Sequence, residues 1–314
     1  MLWRRTWQGI GRQADLLDLY PYCGYPWRVY CLTRGRALST HLFIPDLQVK
    51  PGVPTDHIDW IGEYIAERKP DRIINGGDTY DMASLSAWDR GKLAMEGRRY
   101  KEDIEVGNDA MARLQAPTKR INRGRRFRKT AEYAPSWDFI LGNHEYRIER
   151  AVQDNPHLEG KIGYHDFAVD GWTVHDFLKP CWLDGICYVH YLADPMSGRP
   201  RGGLVRTRLD KVGHSFVMGH QQTFDQATRY ILAANGWKQQ RGIVAGACYL
   251  HDEDYKGPQG NAHWRGILVL HEVDDGAFCL MEVDLEFLAR KYEGMPLRDF
   301  LRSKYPDMTG SLWQ

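Results

Sequence analysis

Apolar and polar positions change their period several times along the chain, and each change marks an element. Leu42, Phe43 and Ile44 form a short apolar run that stops at Pro45-Asp46, the pattern of a buried strand ending in a polar loop. Behind Thr55, Ile58, Ile61 and Ile65 recur at helical spacing, which predicts a helix over 55–68, capped by Thr55 and ended by Pro70-Asp71. Arg72-Ile73-Ile74 reads as a second strand, handing over to Asn75-Gly76-Gly77-Asp78. Strand, helix and strand, each strand closing on an aspartate, make a βαβ unit. Ligands of open α/β sheets gather at the C-terminal edge of such strands.

Residues 84–116 are polar with helical spacing and predict two helices broken near Gly91 or Gly97. Residues 137–141 predict a third strand, ending in Gly142-Asn143-His144-Glu145, with a helix over 145–153. The second half predicts strands at 187–192, 215–218, 227–232, 243–250, 266–272 and 278–283. Residues 1–37, rich in Trp, Tyr, Arg and Leu, follow no clean period. The organisation expected is an N-terminal extension over 1–37, an α/β domain over 38–290 with a helical, basic insert at about 82–135, and a C-terminal tail over 291–314.

Composition narrows the class. With 314 residues, 43% hydrophobic and 26% charged, the chain is neither disordered nor collagenous. No apolar run approaches the roughly 18 residues that span a bilayer. No apolar stretch follows Arg4-Arg5, so no signal peptide and no membrane partner are expected. Six cysteines without a CxxC pair exclude a disulfide scaffold and a zinc ribbon and fit a reducing, cytoplasmic setting. The net charge of +1 hides a local excess, seven basic residues among the eleven of 119–129. That run reads either as a solvated loop or as a grip on a phosphate backbone through Arg123, Arg125, Arg126 and Arg128.

Four polar clusters share one design, in which an apolar strand stops and hands a metal-type side chain to a loop. They are Asp46-Leu47-Gln48, Gly77-Asp78-Thr79-Tyr80-Asp81, Gly142-Asn143-His144-Glu145 and Gly219-His220-Gln221-Gln222. His190 adds a fifth point at the end of the apolar run Cys187-Tyr188-Val189. His175 is its rival, also ending a short apolar stretch, but His190 has the longer strand and lies closer to the Gly219-His220 cluster. Tyr80 and Trp88, just past Asp78, are candidates to line the cleft.

The ordered set resembles the calcineurin-like metallophosphoesterases, whose pattern is DxH, GDxxD, GNH(D/E), His and GHxH. The resemblance runs from about residue 38 to 285. The helical insert and the Arg147 that follows GNHE look like members encoded by phages and prophages. It implies an α/β/β/α sandwich of two mixed sheets flanked by helices. It also implies two divalent ions, Mn foremost, with Mg, Ni, Fe or Zn as alternatives. Asp46 would belong to the first ion, and Asp78 would bridge both. Asn143, His190 and His220 would hold the second. His144 would be the general acid, with Asp81 fixing its tautomer. Arg147 would contact a phosphate oxygen or form a surface salt bridge.

Two departures fall on the same ion. Gln48 and Gln222 stand where the family carries histidines. Amide oxygen is a harder and weaker donor than imidazole, which suits Mn or Mg, or leaves the first site weak. The function expected is metal-dependent hydrolysis of phosphodiesters, with DNA or RNA as candidate substrates. The alternatives are a phosphatase of protein or small-molecule monoesters, and a non-catalytic binding module on the same fold.

Overall fold

The period-two segments become two stacked sheets in the computed structural model, which describes residues 38–234 and 236–313; the expected N-terminal extension, 1–37, lies outside the described residues. In chain order the strands are β1 (Ser39–Ile44), β2 (Arg72–Asn75), β3 (Ser136–Ile140), β4 (Thr173–His175), β5 (Cys181–Leu183), β6 (Ile186–Val189), β7 (Phe216–Met218), β8 (Phe224–Ala233), β9 (Gly236–Ala245), β10 (Gly266–Asp274) and β11 (Ala277–Asp284). The helices are α1 (Asp56–Arg68), α2 (Tyr100–Phe127), α3 (Arg147–Asp154), α4 (Val205–Val212), α5 (Gly257–Asn261), α6 (Leu285–Glu293) and α7 (Leu297–Lys304). The six-stranded sheet has the order β11-β10-β1-β2-β3-β4, and the five-stranded sheet β5-β6-β7-β9-β8. Both are mixed. β1 to β4 run parallel with β10 antiparallel to β1, and β6, β7 and β9 run parallel with β5 and β8 antiparallel at the edges.

Alternation along each strand assigns the layers. Phe43, Ile74, Ile140 and Leu268 of the first sheet meet Tyr188, Val217 and Ile243 of the second in one buried cluster. The intervening residues Leu42, Ile44, Ile73 and Phe139 pack beneath α1, α2, α6 and α7 with Ile58, Ile61, Leu114 and Leu301. Cys187, Val189, Phe216 and Met218 pack beneath α4 with Val205 and Leu209. The result is the α/β/β/α sandwich of two mixed sheets flanked by helices. Among the described residues no helix is long and apolar enough to cross a membrane.

Several expectations are corrected. Thr55 precedes α1 without a side-chain cap, because its hydroxyl accepts from Arg113 at 2.9 Å instead. Gly91 and Gly97 lie before α2, and α2 is one 28-residue helix with Pro117 inside it. The basic run is therefore mostly helical rather than a loop. Helix-favouring Arg and Lys dominate it, and Arg120 holds it to Glu63 of α1 at 2.6 Å. Residues 291–313 are no loose tail. Phe300 packs edge-on against Trp60 with ring centroids 5.2 Å apart, and Asp56 accepts from Tyr305 at 2.6 Å and pairs with Lys304. The predicted strand over 243–250 ends at Ala245 and instead begins at Gly236, as one arm of a long hairpin. The short edge strands β4 and β5 and the helix α4 carry no period long enough to be read.

Candidate metal centre

Every predicted metal-type cluster sits at the C-terminal end of a parallel strand, so the two sheets deliver them to one edge. Asp46 and Gln48 follow β1, Asp78 and Asp81 follow β2, and Asn143, His144 and Glu145 follow β3. His190 follows β6, and His220 and Gln222 follow β7. Four of these residues adopt left-handed backbone although none is glycine: Gln48 (φ 43°), Asp78 (51°), His220 (69°) and Gln222 (58°). Each such residue costs about 1–3 kcal/mol and persists only where its surroundings over-determine it. Here the Gln48 N–H donates to the Asp78 carbonyl at 2.8 Å, and the His220 N–H donates to Asp46 Oδ1 at 2.9 Å. The glycines of the motifs leave room for the carboxylates. A Cβ on Gly142 would lie 2.1 Å from Asp78 Oδ1, and one on Gly219 would lie 2.4 Å from Asp46 Oδ1.

Asp78, His190 and His220 each bring a ligand atom within 4.8 Å of the others. His190 Nε2 lies 3.2 Å from Asp78 Oδ2 and 3.0 Å from Asn143 Oδ1, which places Asn143 in the same cluster. His190 Nδ1 lies 2.8 Å from the Gly76 carbonyl. Both ring nitrogens therefore face acceptors, and the ion-free ring carries both protons. Burial disfavours that charge, but Asp78 outweighs it and the ring is pushed up to about 9. His220 goes the other way, held near about 4 by burial and then by the His190 cation. Asp78 stays far below the ordinary carboxylate range: burial opposes this, but His144 and His190 prevail.

Two oxygens complete the test of whether these residues suit an ion. Asp46 Oδ2 and Gln48 Oε1 are buried and have no hydrogen-bond partner. Buried carboxylate and amide oxygens left unpaired are costly, and a cation beside them removes that cost. Burial and the neighbouring Asp78 push the Asp46 carboxyl up to about 6. The donor set, imidazole nitrogen with carboxylate and amide oxygen and no sulfur, is one that divalent ions take. His175 is elsewhere. It lies 2.9 Å from Asp138, with Cys181 beside it, at the edge where β4 and β5 meet.

His144 stands beside this cluster with its ring nitrogens engaged elsewhere. Its Nδ1 lies 2.5 Å from Asp81 Oδ1, and its Nε2 lies 3.7 Å from Asp78 Oδ2. Burial lowers the affinity of this ring for a proton, but Asp78 and Asp81 outweigh burial and Arg147 and raise it. Asp81 is held well below its ordinary range, against burial, by His144, Lys50 and Arg147. Arg147 donates to the Asp81 carbonyl at 2.8 Å, and its other terminal nitrogen is 3.2 Å from His144 Nε2. It is thus part of the site and no free surface residue.

Glu145 is the residue whose role the sequence did not assign. It is wholly buried, and its carboxylate accepts four backbone N–H groups: Asp78 at 3.0 Å, Thr79 at 2.7 Å, Tyr80 at 2.9 Å and Gly142 at 2.8 Å. It buckles the GDTYD loop to the GNHE loop, and its place in the motif was the only signal. Tyr80 does not line a cleft; it is buried, stacked on Phe167 and bonded to Asn108 at 2.8 Å. Trp88 is 83% exposed.

Two further predictions are corrected here. Gln222 offers no free donor, because its amide oxygen accepts from the Tyr249 hydroxyl at 2.9 Å and from the Lys256 ammonium. Arg123, Arg125, Arg126 and Arg128 lie at the end of α2 remote from the centre. Asn108, early in α2, touches the site loop, whereas Arg125 shares a shallow groove with Lys69, Asp71 and Pro135 at the opposite ends of the strands. Seventeen residues of helix, about 25 Å, separate the two. No protein-family model matches this chain, and no curated protein matches it.

Proposed function

We propose that the protein is a metal-dependent phosphoester hydrolase acting on phosphodiesters. One observation carries this reading. A cluster of buried Asp78 and His190 with half-buried Asn143 and His220 suits a divalent ion, and a histidine that is not part of it, His144, stands alongside with its tautomer fixed by Asp81. A binding module has no need of that histidine.

Asp78, Asn143, His190 and His220 would hold the ion, with Asp46 and Gln48 facing the neighbouring half of the centre. An ion bound there would neutralise phosphate charge and acidify an attacking water, with Mn the foremost candidate. The remaining roles belong to the chain. His144 donates through Nδ1 to Asp81, which leaves Nε2 to give a proton to the departing oxygen. A guanidinium only donates, so the 3.2 Å contact from Arg147 takes the Nε2 lone pair, and Nε2 must first gain a proton from solvent, which Asp78 and Asp81 favour, before it can give one up. Protonation of Nε2 requires Arg147 to leave it, and a phosphate oxygen is the natural new partner for the fork.

The test is a screen of aryl phosphodiesters and monoesters with Mn, Mg, Ni or Zn, with and without chelator. Diester turnover that requires the ion is expected. Well-folded protein without turnover under any ion would refute the reading, and turnover confined to monoesters would move it to a phosphatase. Because the four arginines lie remote from the centre, the proposal rests on the centre and not on a nucleic-acid grip.

A further inference from the structure

The half of the centre around Asp46 calls for a positive charge, but it offers oxygens alone and one of them is already taken. Of the oxygens facing it, Asp46 Oδ2 and Gln48 Oε1 are buried and unpaired, but Gln222 Oε1 is already bound by the Lys256 ammonium. That ammonium also donates to the Tyr249 hydroxyl at 3.3 Å, and the Asp46 carboxylate attracts it without an ion pair between them. The segment bearing Lys256 is anchored. Cys248 N–H donates to the Asp46 carbonyl at 2.8 Å. Buried Arg265 donates to the carbonyls of Tyr249 at 3.1 Å and His251 at 2.7 Å, and Asn261 clamps both backbone groups of Glu253 at 2.9 and 3.0 Å. A lysine on so fixed a loop, aimed at the glutamine that replaces an imidazole, is placed by the fold.

We propose that Lys256 is the cation of this half-site: its ammonium takes the place of a second divalent ion, and the centre works with a single ion. This rests on the reading of the centre given above. The chemistry is consistent with both glutamines. An amide oxygen that accepts from an ammonium need not be a strong metal ligand, so imidazole at position 222 has no purpose once Lys256 is there. An ammonium has three N–H donors; Gln222 and Tyr249 take two, and the third is available to a phosphate oxygen.

Counting bound Mn by titration, with electron paramagnetic resonance of the free ion as readout, tests the assignment. The wild-type chain should bind one ion, and Lys256→Arg should also bind one. Lys256→Gln should bind two, because it frees an all-oxygen set of Asp46, Gln48, Asp78 and Gln222. With one Mn bound per chain, before the second site fills, affinity for inorganic phosphate should fall about tenfold or more in Lys256→Gln and recover in Lys256→Arg, a response that a purely structural lysine does not give. Lys256→Met serves as a second charge-free variant if Lys256→Gln fails to fold. Two ions in the wild type, or one ion in both neutral variants, overturns the proposal while leaving the hydrolase reading intact. No ion in the wild type, or a count unchanged by His220→Ala, defeats the hydrolase reading itself.

Discussion

An ion that enters the Asp78–His190–His220 cluster must displace a proton, and the structure says which one. His190 has the Gly76 carbonyl at 2.8 Å from Nδ1, and Asn143 Oδ1 and Asp78 Oδ2 at 3.0 and 3.2 Å from Nε2. Both nitrogens face acceptors, so the ion-free ring is an imidazolium, pushed up to about 9. At pH 7 that is two units above the solution, so about 99% of the rings are protonated and each bound ion releases about one proton. The competition weakens apparent affinity about 100-fold, or about 2.7 kcal/mol, relative to a neutral ring. Log affinity should rise by about one per pH unit between pH 7 and 8, and by up to about two per unit towards pH 5, where the Asp46 carboxyl also holds its proton. His220, held near about 4, is already neutral over that range, and Asp46, at about 6, adds only about a tenth of a proton at pH 7. Calorimetric Mn titrations in buffers of different ionisation enthalpy report the protons released. A value near one at pH 7, lost in His190→Gln, is expected. A value near zero with a flat pH profile would show a neutral ring and break the geometric argument.

Four further outcomes follow from the same contacts. His144→Ala should lower kcat by about 10²–10⁴ at saturating Mn with the ion content unchanged, since the ring is not a ligand; loss of the ion with the rate spared would reverse its role. Glu145→Ala leaves four backbone N–H groups without their acceptor, at about 1–3 kcal/mol each, so urea unfolding should show a loss of at least about 4 kcal/mol, and a loss below about 1 kcal/mol would mean water replaces the carboxylate. Replacing Arg123, Arg125, Arg126 and Arg128 with Gln should leave cleavage of both small diesters and polynucleotides unchanged across a salt series, given their placement at the far end of α2; a selective loss on polynucleotides would restore the nucleic-acid grip. Buried His57, held near about 3 by burial and then by His251, takes its proton at an ordinary value only when unfolded, so stability present above about pH 6.5 drains as pH falls towards 3, at about 1.4 kcal/mol per unit; His57→Leu should flatten that slope, and parallel profiles would contradict it.

The fold was legible where burial imposes a period. β1, β2 and β3 read correctly because each is an apolar run that stops abruptly, and the stop marks both the strand end and the edge where the site forms. α1 read correctly because Ile58, Ile61 and Ile65 keep helical spacing. The failures share a cause too. β4 and β5 are three residues each at sheet edges, too short to show alternation, with Val174 and Trp182 turned to solvent. The long α2 was misread because its charged C-terminal third is held by pairs such as Arg120–Glu63 rather than by an apolar stripe, so the run looked like a loop. Residues 291–313 looked like a tail because their side chains meet partners some 240 residues earlier in the chain, as Phe300 meets Trp60 and Tyr305 meets Asp56 across a separation of 249.

At the site the boundary of legibility is chemical rather than periodic. Asp46, Asp78, Asn143, His144, His190 and His220 announce themselves because they are metal-type side chains at the ends of apolar strands. Glu145 and Lys256 act on partners that a sequence does not display. Glu145 works through four backbone N–H groups that come together only when two loops fold against each other, and every residue but proline carries such a group. Lys256 comes from a loop 34 residues beyond Gln222 and meets it through a single contact. Read against the histidines of the pattern that the sequence resembles, the two glutamines suggested a first site tuned to a hard ion, or a weak one. Beside Lys256 the half-site reads differently: Gln222 meets a positive charge that the chain itself carries, close to the unpaired oxygens of Asp46 and Gln48 without contacting them. The sequence does not announce such a residue, because Lys256 has no fixed spacing from either glutamine.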